Sequence, residues 1–103
     1  MAQEQPRNVK LTIGTTSTEV SPERNRQQEV IFRSIVNRSL GGQTITLSFG
    51  DEAKDDYGIP LAPGGFYVES KDLGYTPTNL RINASSTLAG GILSVSERVQ
   101  MRQ

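Results

Sequence analysis

The sequence of 103 residues contains no cysteine and no histidine, and these two absences exclude much of protein chemistry. Without cysteine there is no disulfide bond and no thiol nucleophile. Without histidine the chain lacks the commonest general base and the commonest ligand of transition metals. We therefore expect no catalytic residue, no cofactor-binding residue and no metal ligand, and we predict that the protein is not an enzyme.

The sequence also offers few residues for other common catalytic mechanisms. A serine nucleophile without histidine would need a desolvated lysine as its base. The chain has few lysines, and all of them lie in polar sequence: Lys10, Lys54 and Lys71. Glycine pairs at 41–42, 64–65 and 90–91 do not match the phosphate-loop pattern G-x-x-x-x-G-K-[ST], so we interpret them as turns.

The acidic segment DEAKDDYG, residues 51–58, invites comparison with a calcium-binding loop. Such a loop needs a carboxylate at its third position and glycine at its sixth. Counting from Asp51, Ala53 occupies the third position and Asp56 the sixth. The pattern fails twice, and the segment is interpreted as a solvated loop with no metal.

Net charge is also absent, because 11 basic and 11 acidic side chains cancel. A nucleic-acid-binding protein needs a basic surface, so no nucleic-acid partner is expected. No apolar run approaches the roughly 18 residues of a membrane span, and the N-terminus MAQEQPRNVK has no apolar signal region. We expect no membrane association, and synthesis and folding in a cytosol.

The charges are distributed unevenly along the chain. Residues 51–72 hold six acids and two lysines, whereas residues 30–50 hold Arg33 and Arg38 and no acid. One interpretation is solvated loops on a neutral protein. The other is that surfaces of opposite charge guide self-association or docking.

What the chain does contain is a series of short segments in which apolar and polar residues alternate, as in half-buried β-strands. Ile45, Leu47 and Phe49, for example, are predicted to point inward. The predicted strands lie in NVKLTIGTT, VIFRSIVNRS, QTITLSFG, GIPL, FYVES, LRINASS and ILSVSERV. About seven short antiparallel strands at this spacing predict an all-β protein, a single β-sandwich or small barrel.

Local patterns add further expectations. The polar residues 16–29, with Pro22, predict a loop in which Ser21 could begin one helical turn. The turn residues GGQ predict a β-hairpin between VIFRSIVNRS and QTITLSFG. VIFRSIVNRS is apolar on both faces, with Phe32 and Val36 on one side, which predicts a central strand or one beneath a neighbouring subunit. Pro60 predicts a short edge strand.

The ends of the chain define the predicted domain boundaries. Residues 1–8 are predicted to be an extended N-terminal arm, residues 9–98 the β domain and residues 99–103 a C-terminal tail. The arm has nothing apolar to hold it, so we expect it to contact a partner; fully extended it would reach about 26 Å. The candidate partner-binding residues are Gln3, Gln5, Arg7, Arg33, Arg38, Tyr57, Tyr67 and Tyr75.

The string VNRSLGGQTITLSFGDEA…YGIPLAPGGFYVES…GYTPTNLRINASSTLAGGILSVSER, within residues 31–98, resembles small structural proteins of tailed bacteriophages. The resemblance lies in the N-x-S-x-G-G-Q-x-I-T-L-x-F-G motif, the G-I-x-L-x-P-G turn and the terminal E-R strand. It implies a virion protein of the capsid-decoration, cement or fibre kind. No functional residue is carried over, because the shared positions determine the fold.

The resemblance also implies partners and a location. A decoration protein binds the major capsid protein or another virion protein, as a homo-oligomer such as a trimer, and is found in the virion after synthesis in the host cytoplasm. One alternative is a tail, baseplate or head–tail connector component. Another is a carbohydrate- or receptor-binding β module that uses Tyr57, Tyr67 and Tyr75 as a stacking platform.

Overall fold

The computed structural model describes residues 4–54, 58–74 and 76–101. Within them the strands are β1 Glu4–Ile13, β2 Thr18–Ser21, β3 Gln28–Asn37, β4 Ile45–Phe49, β5 Ile59–Leu61, β6 Phe66–Ser70, β7 Ile82–Ser86 and β8 Gly91–Met101. A single 3-10 turn, Lys71–Leu73, follows β6 in this part of the chain. The prediction of an all-β sandwich is confirmed, with eight strands in place of about seven.

The strands form two four-stranded antiparallel sheets, which we name sheet I (β1-β8-β3-β6) and sheet II (β2-β7-β4-β5). Apart from the step from β4 to β5, each connection crosses from one sheet to the other. This is the strand order of a jelly roll. The crossings wrap the two sheets around one apolar core, because alternate side chains of each strand point between the sheets.

That core is made of residues from both sheets. Its fully buried aliphatic side chains include Ile13, Ile35, Ile45, Leu47, Ile82, Leu93 and Val95. Ile45 and Leu47 were predicted to point inward, and this is confirmed; Phe49 is partly buried and packs against the cluster. The alternation in β4 therefore identified the side of that strand that faces the core, whereas in β6 the apolar Phe66 and Val68 face away from it.

The predicted loop over residues 16–29 is wrong at its centre, where β2 forms and pairs with β7. No helical turn begins at Ser21, which is the last residue of β2. The strand forms because Val20 is only 1% exposed and the buried Ser21 hydroxyl donates a hydrogen bond to Glu97, 2.7 Å away. Tertiary contacts therefore decide the conformation of a segment that is polar by composition.

The predicted hairpin between β3 and β4 is also wrong, because the two strands belong to different sheets. The Asn37 side-chain amide donates to the carbonyl oxygens of Gln43, at 2.9 Å, and Leu61, at 2.8 Å. The Arg38 amide donates to Ile92 on β8. These bonds hold the connection across the end of the sandwich. The predicted central place of β3, between β8 and β6, is confirmed.

The N-terminal strand begins earlier than Val9. β1 pairs with β8 from Glu4, opposite Gln100, to Ile13, opposite Gly91. Residues 4–8 of the predicted arm and residues 99–101 of the predicted tail are therefore strand residues in sheet I. The arm residue Arg7 also contacts the interior, as described below.

The side of sheet II that points away from the core is covered by the chain itself. Thr46 and Ser48 lie on the opposite side of β4 from Ile45 and Leu47, yet they are only 2% and 5% exposed. Asn83 on the same sheet donates its side-chain amide to the carbonyl oxygen of Asp51 at 2.7 Å. The Ala53 amide donates to the Ser17 hydroxyl at 2.9 Å. Residues 51–54 therefore lie against this face.

Edge strand β5 is confirmed as a short edge segment containing Pro60, and it depends on the glycine before it. Gly58 has φ 112°, and a Cβ there would overlap the backbone carbonyl oxygen of Leu47 on β4. Gly64 offers a control, since it has φ 83° but no neighbouring atom within 4 Å of the point that a Cβ would occupy.

We expect Gly58→Ala to lower the free energy of unfolding by about 2–3 kcal/mol, through a strained φ and displacement of β5 from β4. Gly64→Ala should cost about 1 kcal/mol, the strain alone. Urea denaturation followed by circular dichroism measures both. Equal losses would contradict the clash at Gly58.

Candidate functional site

A buried ion network joins the two sheets around Arg33 of β3. Arg33 is 0% exposed, and its Nε donates to Glu97 Oε2 at 2.7 Å. Its Nη1 donates to Glu69 Oε1 at 2.6 Å and to the Thr78 carbonyl oxygen at 3.2 Å. Arg33 was predicted to bind a partner; the structure places it inside the sandwich, where it binds carboxylates of its own chain.

Glu97 of β8 is the acidic centre of this network. It is 1% exposed and accepts bonds from Arg33, from the Ser21 hydroxyl and, at 2.7 Å, from Arg7 Nη1. Arg24 lies 3.4 Å from the same carboxylate. Arg7, a predicted partner-binding residue, keeps 30% of its side chain exposed. Strands β1, β2, β3 and β8 are thereby tied to one carboxylate.

Burial and neighbouring groups shift the pKa values of Glu97 and Tyr67. Burial raises the pKa of Glu97, but hydrogen bonds from Ser21, Arg33 and Arg7 and the charge of Arg33 outweigh it, so the pKa lies below its ordinary value. Burial, together with the neighbouring Glu69 carboxylate, raises the pKa of Tyr67 to about 12. Neither group is poised to exchange a proton near neutral pH. The network is suited to holding strands together.

Among the other predicted partner-binding residues, those that the structure describes do not form one cluster. Gln5 is exposed and pairs with Val99, whereas the exposed Arg38 is bonded at Ile92, seven residues away along β8. Tyr67 is half-buried, and its ring lies 5.6 Å from that of Phe49. Gln3, Tyr57 and Tyr75 lie outside the described residues.

The surface of sheet I that points away from the core is the larger candidate site, which we name the outer face. The register of the strands arranges the side chains that cross all four strands in three rows. Across β1, β8, β3 and β6 the rows are Lys10-Ser94-Val36-Phe66, Asn8-Ser96-Ser34-Val68 and Pro6-Arg98-Phe32-Ser70. Phe66 is 67% and Val68 36% exposed. Phe32 and Val36 were predicted to lie on the same side of their strand, and that side belongs to the outer face.

The outer face has two unlike halves. The half on β3 and β6 presents Phe32, Val36, Phe66 and Val68, while the half on β1 and β8 is polar and carries the cations Lys10 and Arg98. At one end of the face, a groove of about 540 Å³ lies around Phe32 and Arg98. The Arg98 guanidinium carbon lies 5.7 Å from the centre of the Phe32 ring. Sequence reasoning missed this face as a site.

A second exposed apolar surface lies at one end of the sandwich, which we name the loop tip: Leu40 and Leu88. They are 94% and 57% exposed. The loops that carry them are joined by the nearly buried Gln43, whose side-chain amide donates to the Ala89 carbonyl oxygen at 3.0 Å. The Gly41 amide donates back to Gln43 Oε1 at 2.9 Å. Both leucines therefore lie on two loops that are joined by hydrogen bonds, close to the exposed Arg38.

Two kinds of feature are absent from the described residues. No cluster of three or more acidic side chains is placed to hold a metal ion in the part of the chain that the structure describes. Among the same residues, no helix is long and apolar enough to cross a membrane.

No protein-family model matches this chain, and no curated protein sequence matches it. Solved structures do share its fold. A chain of the Bacillus endospore appendages, described as a family of disulfide-linked pili, is 13% identical, with a TM-score of 0.68 over 98% of this chain and 88% of that one. A chain of the acid-stable capsid of Helicobacter pylori bacteriophage KHP30 is 14% identical, with a TM-score of 0.55 over 100% and 95%. The chain is thus a jelly-roll β-sandwich protein.

Proposed function

We propose that this chain is a non-enzymatic structural protein of a bacteriophage virion, and more specifically a capsid decoration or cement protein that binds and stabilises the shell formed by the major capsid protein. The observation that carries the proposal is the placement of large exposed apolar side chains on two separate surfaces, the outer face and the loop tip. Exposed apolar patches mark contacts with other proteins.

Two further observations support this function. The charged groups of the ion network pair with one another. Within the described residues, these side chains therefore serve to hold the strands together. The fold matches a chain of a phage capsid along its full length, and jelly rolls recur in viral capsids.

We assign the shell contact to the loop tip, since Leu40, at 94%, is the most exposed large apolar side chain among the described residues and Arg38 beside it can pair with acidic groups of a shell protein. A few residues carry most of the energy of a protein interface. The double variant Leu40→Ser/Leu88→Ser should therefore bind purified shells lacking this protein at least about tenfold more weakly. Co-sedimentation with shells measures the binding.

The matched control is Leu73→Ser, which removes a leucine of similar exposure, 65%, from the 3-10 turn after β6. It should bind like the unaltered protein, and all variants should keep their unfolding transition. Mass spectrometry of purified particles supplies the copy number. Absence from particles would refute a virion role, and a few copies per particle would indicate the tail, baseplate or connector alternative.

A second candidate is a subunit of a surface fibre, favoured by the TM-score of 0.68 to the endospore appendage chain. That protein is described as disulfide-linked, whereas this chain has no cysteine, so its copies would be held without covalent bonds. Filaments of the purified protein in negative-stain electron microscopy would favour this candidate. The carbohydrate-binding alternative gains no support, because Tyr67 packs against Phe49 and its two proposed companions lie outside the described residues.

A further inference from the structure

We propose that the outer face of sheet I is the contact surface for a second copy of this chain, with the two faces packed together about a twofold axis that runs parallel to the strands. The proposal does not rest on the shell-binding function, because it concerns two copies in solution. It rests on the exposure, the size and the unlike halves of this face.

The two sheets differ in what covers them. On sheet II, residues 51–54 of the chain lie against the outer side, and Thr46, Ser48, Asn83 and Ser85 are buried beneath the chain. On sheet I, the outward side chains of the first two rows are exposed or half-exposed. Phe66, at 67% exposure, is the largest of them. Sheet I therefore presents the open side of the sandwich.

The face is large enough for a specific dimer. Four strands about 4.8 Å apart, rising about 3.3 Å per residue over their paired lengths, give roughly 500–600 Å² on each copy. The total of more than about 1,000 Å² reaches the range in which specific interfaces begin and exceeds that of most incidental contacts. Two twisted sheets pack face to face in the same way inside a β-sandwich.

The unlike halves decide the orientation. An axis parallel to the strands places β1 over the second copy's β6 and β8 over the second copy's β3, and keeps each row opposite itself. Lys10 then faces the second copy's Phe66, and Arg98 faces the second copy's Phe32. Cations over aromatic rings attract, and Arg98 already lies over the Phe32 ring of its own chain.

An axis perpendicular to the strands gives a poorer contact. It places β1 over β1 and β8 over β8 and sets the first row opposite the third, so that Lys10 lies next to the second copy's Arg98. In this arrangement neither Lys10 nor Arg98 faces an aromatic ring of the second copy, because β1 and β8 present none among the three rows. Like charges brought together at an interface are unfavourable. The register of sheet I thus selects the first arrangement.

The oligomeric state in the absence of shells tests the contact. Sedimentation velocity should show a dimer. Val68→Lys should raise the dissociation constant of the dimer at least about tenfold, because it places a charge in the middle row. Leu73→Lys is the control, since Leu73 is exposed to 65% but lies in the 3-10 turn outside the three rows. A monomer at all concentrations, or equal behaviour of the two variants, would overturn the proposal.

The absence of cysteine allows a second test that does not depend on weakening the face. Asn8→Cys and Val68→Cys copies, mixed and treated with a short bis-maleimide, should cross-link with each other, because β1 lies over β6. Either variant alone should cross-link poorly, since the same positions of two copies lie on opposite edges. Strong cross-linking of Val68→Cys with itself would overturn the proposed axis.

A third outcome separates the two proposals. If Val68→Lys abolishes shell binding while the protein alone is monomeric, the outer face contacts the shell and the dimer proposal is wrong. If the dimer is found but no shell takes the protein up, the dimer stands and the decoration function fails.

Discussion

Arg33→Ala is expected to lower the free energy of unfolding by about 3–5 kcal/mol, a large part of the stability of a domain of this size. Removing the guanidinium leaves Glu97, at 1% exposure, with the partly exposed Arg7 at 2.7 Å and with Arg24 at 3.4 Å, and it leaves Glu69 without its Arg33 partner. Breaking a buried ion pair from one side is costly because the remaining charge stays out of water.

The measurement is urea denaturation followed by circular dichroism, and Arg38→Ala is the matched control. Arg38 lies immediately after the same strand but is exposed, so its loss should change stability by less than about 0.5 kcal/mol. Both arginines were interpreted from sequence as partner contacts. A loss below about 1 kcal/mol in Arg33→Ala would show that the network contributes little.

The alternation of apolar and polar residues predicted most of the fold. It identified the strands that hold Ile13, Ile45 and Leu93, and Pro60 marked an edge strand correctly. It missed β2, because a strand of four residues with one buried aliphatic residue carries no visible period. The partner that makes Ser21 acceptable in the interior is Glu97, 76 residues away in the chain.

The erroneous hairpin shows a different limit. A glycine turn between two strands is compatible with strands that pair and with strands that cross between sheets. In this chain the outcome depends on Asn37, whose amide reaches the backbone of both Gln43 and Leu61. Such contacts depend on residues distant in sequence, so turn residues alone could not have given the connection.

The sequence pattern does contain a sign of the ion network. In β8 the inward positions are Leu93, Val95, Glu97 and Val99, so the alternation itself places a carboxylate in the core. Arg33 likewise shares its parity with Ile35. A charged residue in an apolar position needs a buried partner of opposite sign. Sequence could thus have shown that such partners are required, although it could not have shown which residues pair.

The outer face was predicted less well. The apolar character of β3 on both sides indicated a strand covered on both faces, and Phe32 and Val36 do share the outer face. What the sequence could not show is that β6 lies beside β3 and adds Phe66 and Val68 to the same surface. The face is a product of strand order, which depends on long-range pairing.

Acid is expected to destabilise this protein through Glu97, and the sign follows from linkage. The pKa of Glu97 is lowered in the folded protein, so at low pH the unfolded chain binds more protons than the folded one. The stability contributed by ionised Glu97 is therefore complete above the unfolded pKa. It is lost from about pH 5 downward, as the pH falls through the folded pKa.

Glu97→Gln isolates this contribution from those of the other carboxylates. At pH 7 the variant should be less stable by about 3 kcal/mol or more, because Arg33 then keeps only one of its two buried counter-charges, Glu69. The difference between the two proteins should shrink as the pH falls, because protonation gives wild-type Glu97 the same lack of charge. Urea denaturation at a series of pH values from 7 to about 3 measures that difference.

Glu29→Gln provides the control, since Glu29 forms an ion pair with Lys71 at 3.2 Å, in which the lysine side chain is 57% exposed. Exposed ion pairs contribute little, so this variant should differ from the unaltered protein by less than about 1 kcal/mol at every pH. A difference for Glu97→Gln that stays constant with pH would mean that the substitution acts through packing. In that case the charge of Glu97 would not be what holds β1, β2, β3 and β8 together.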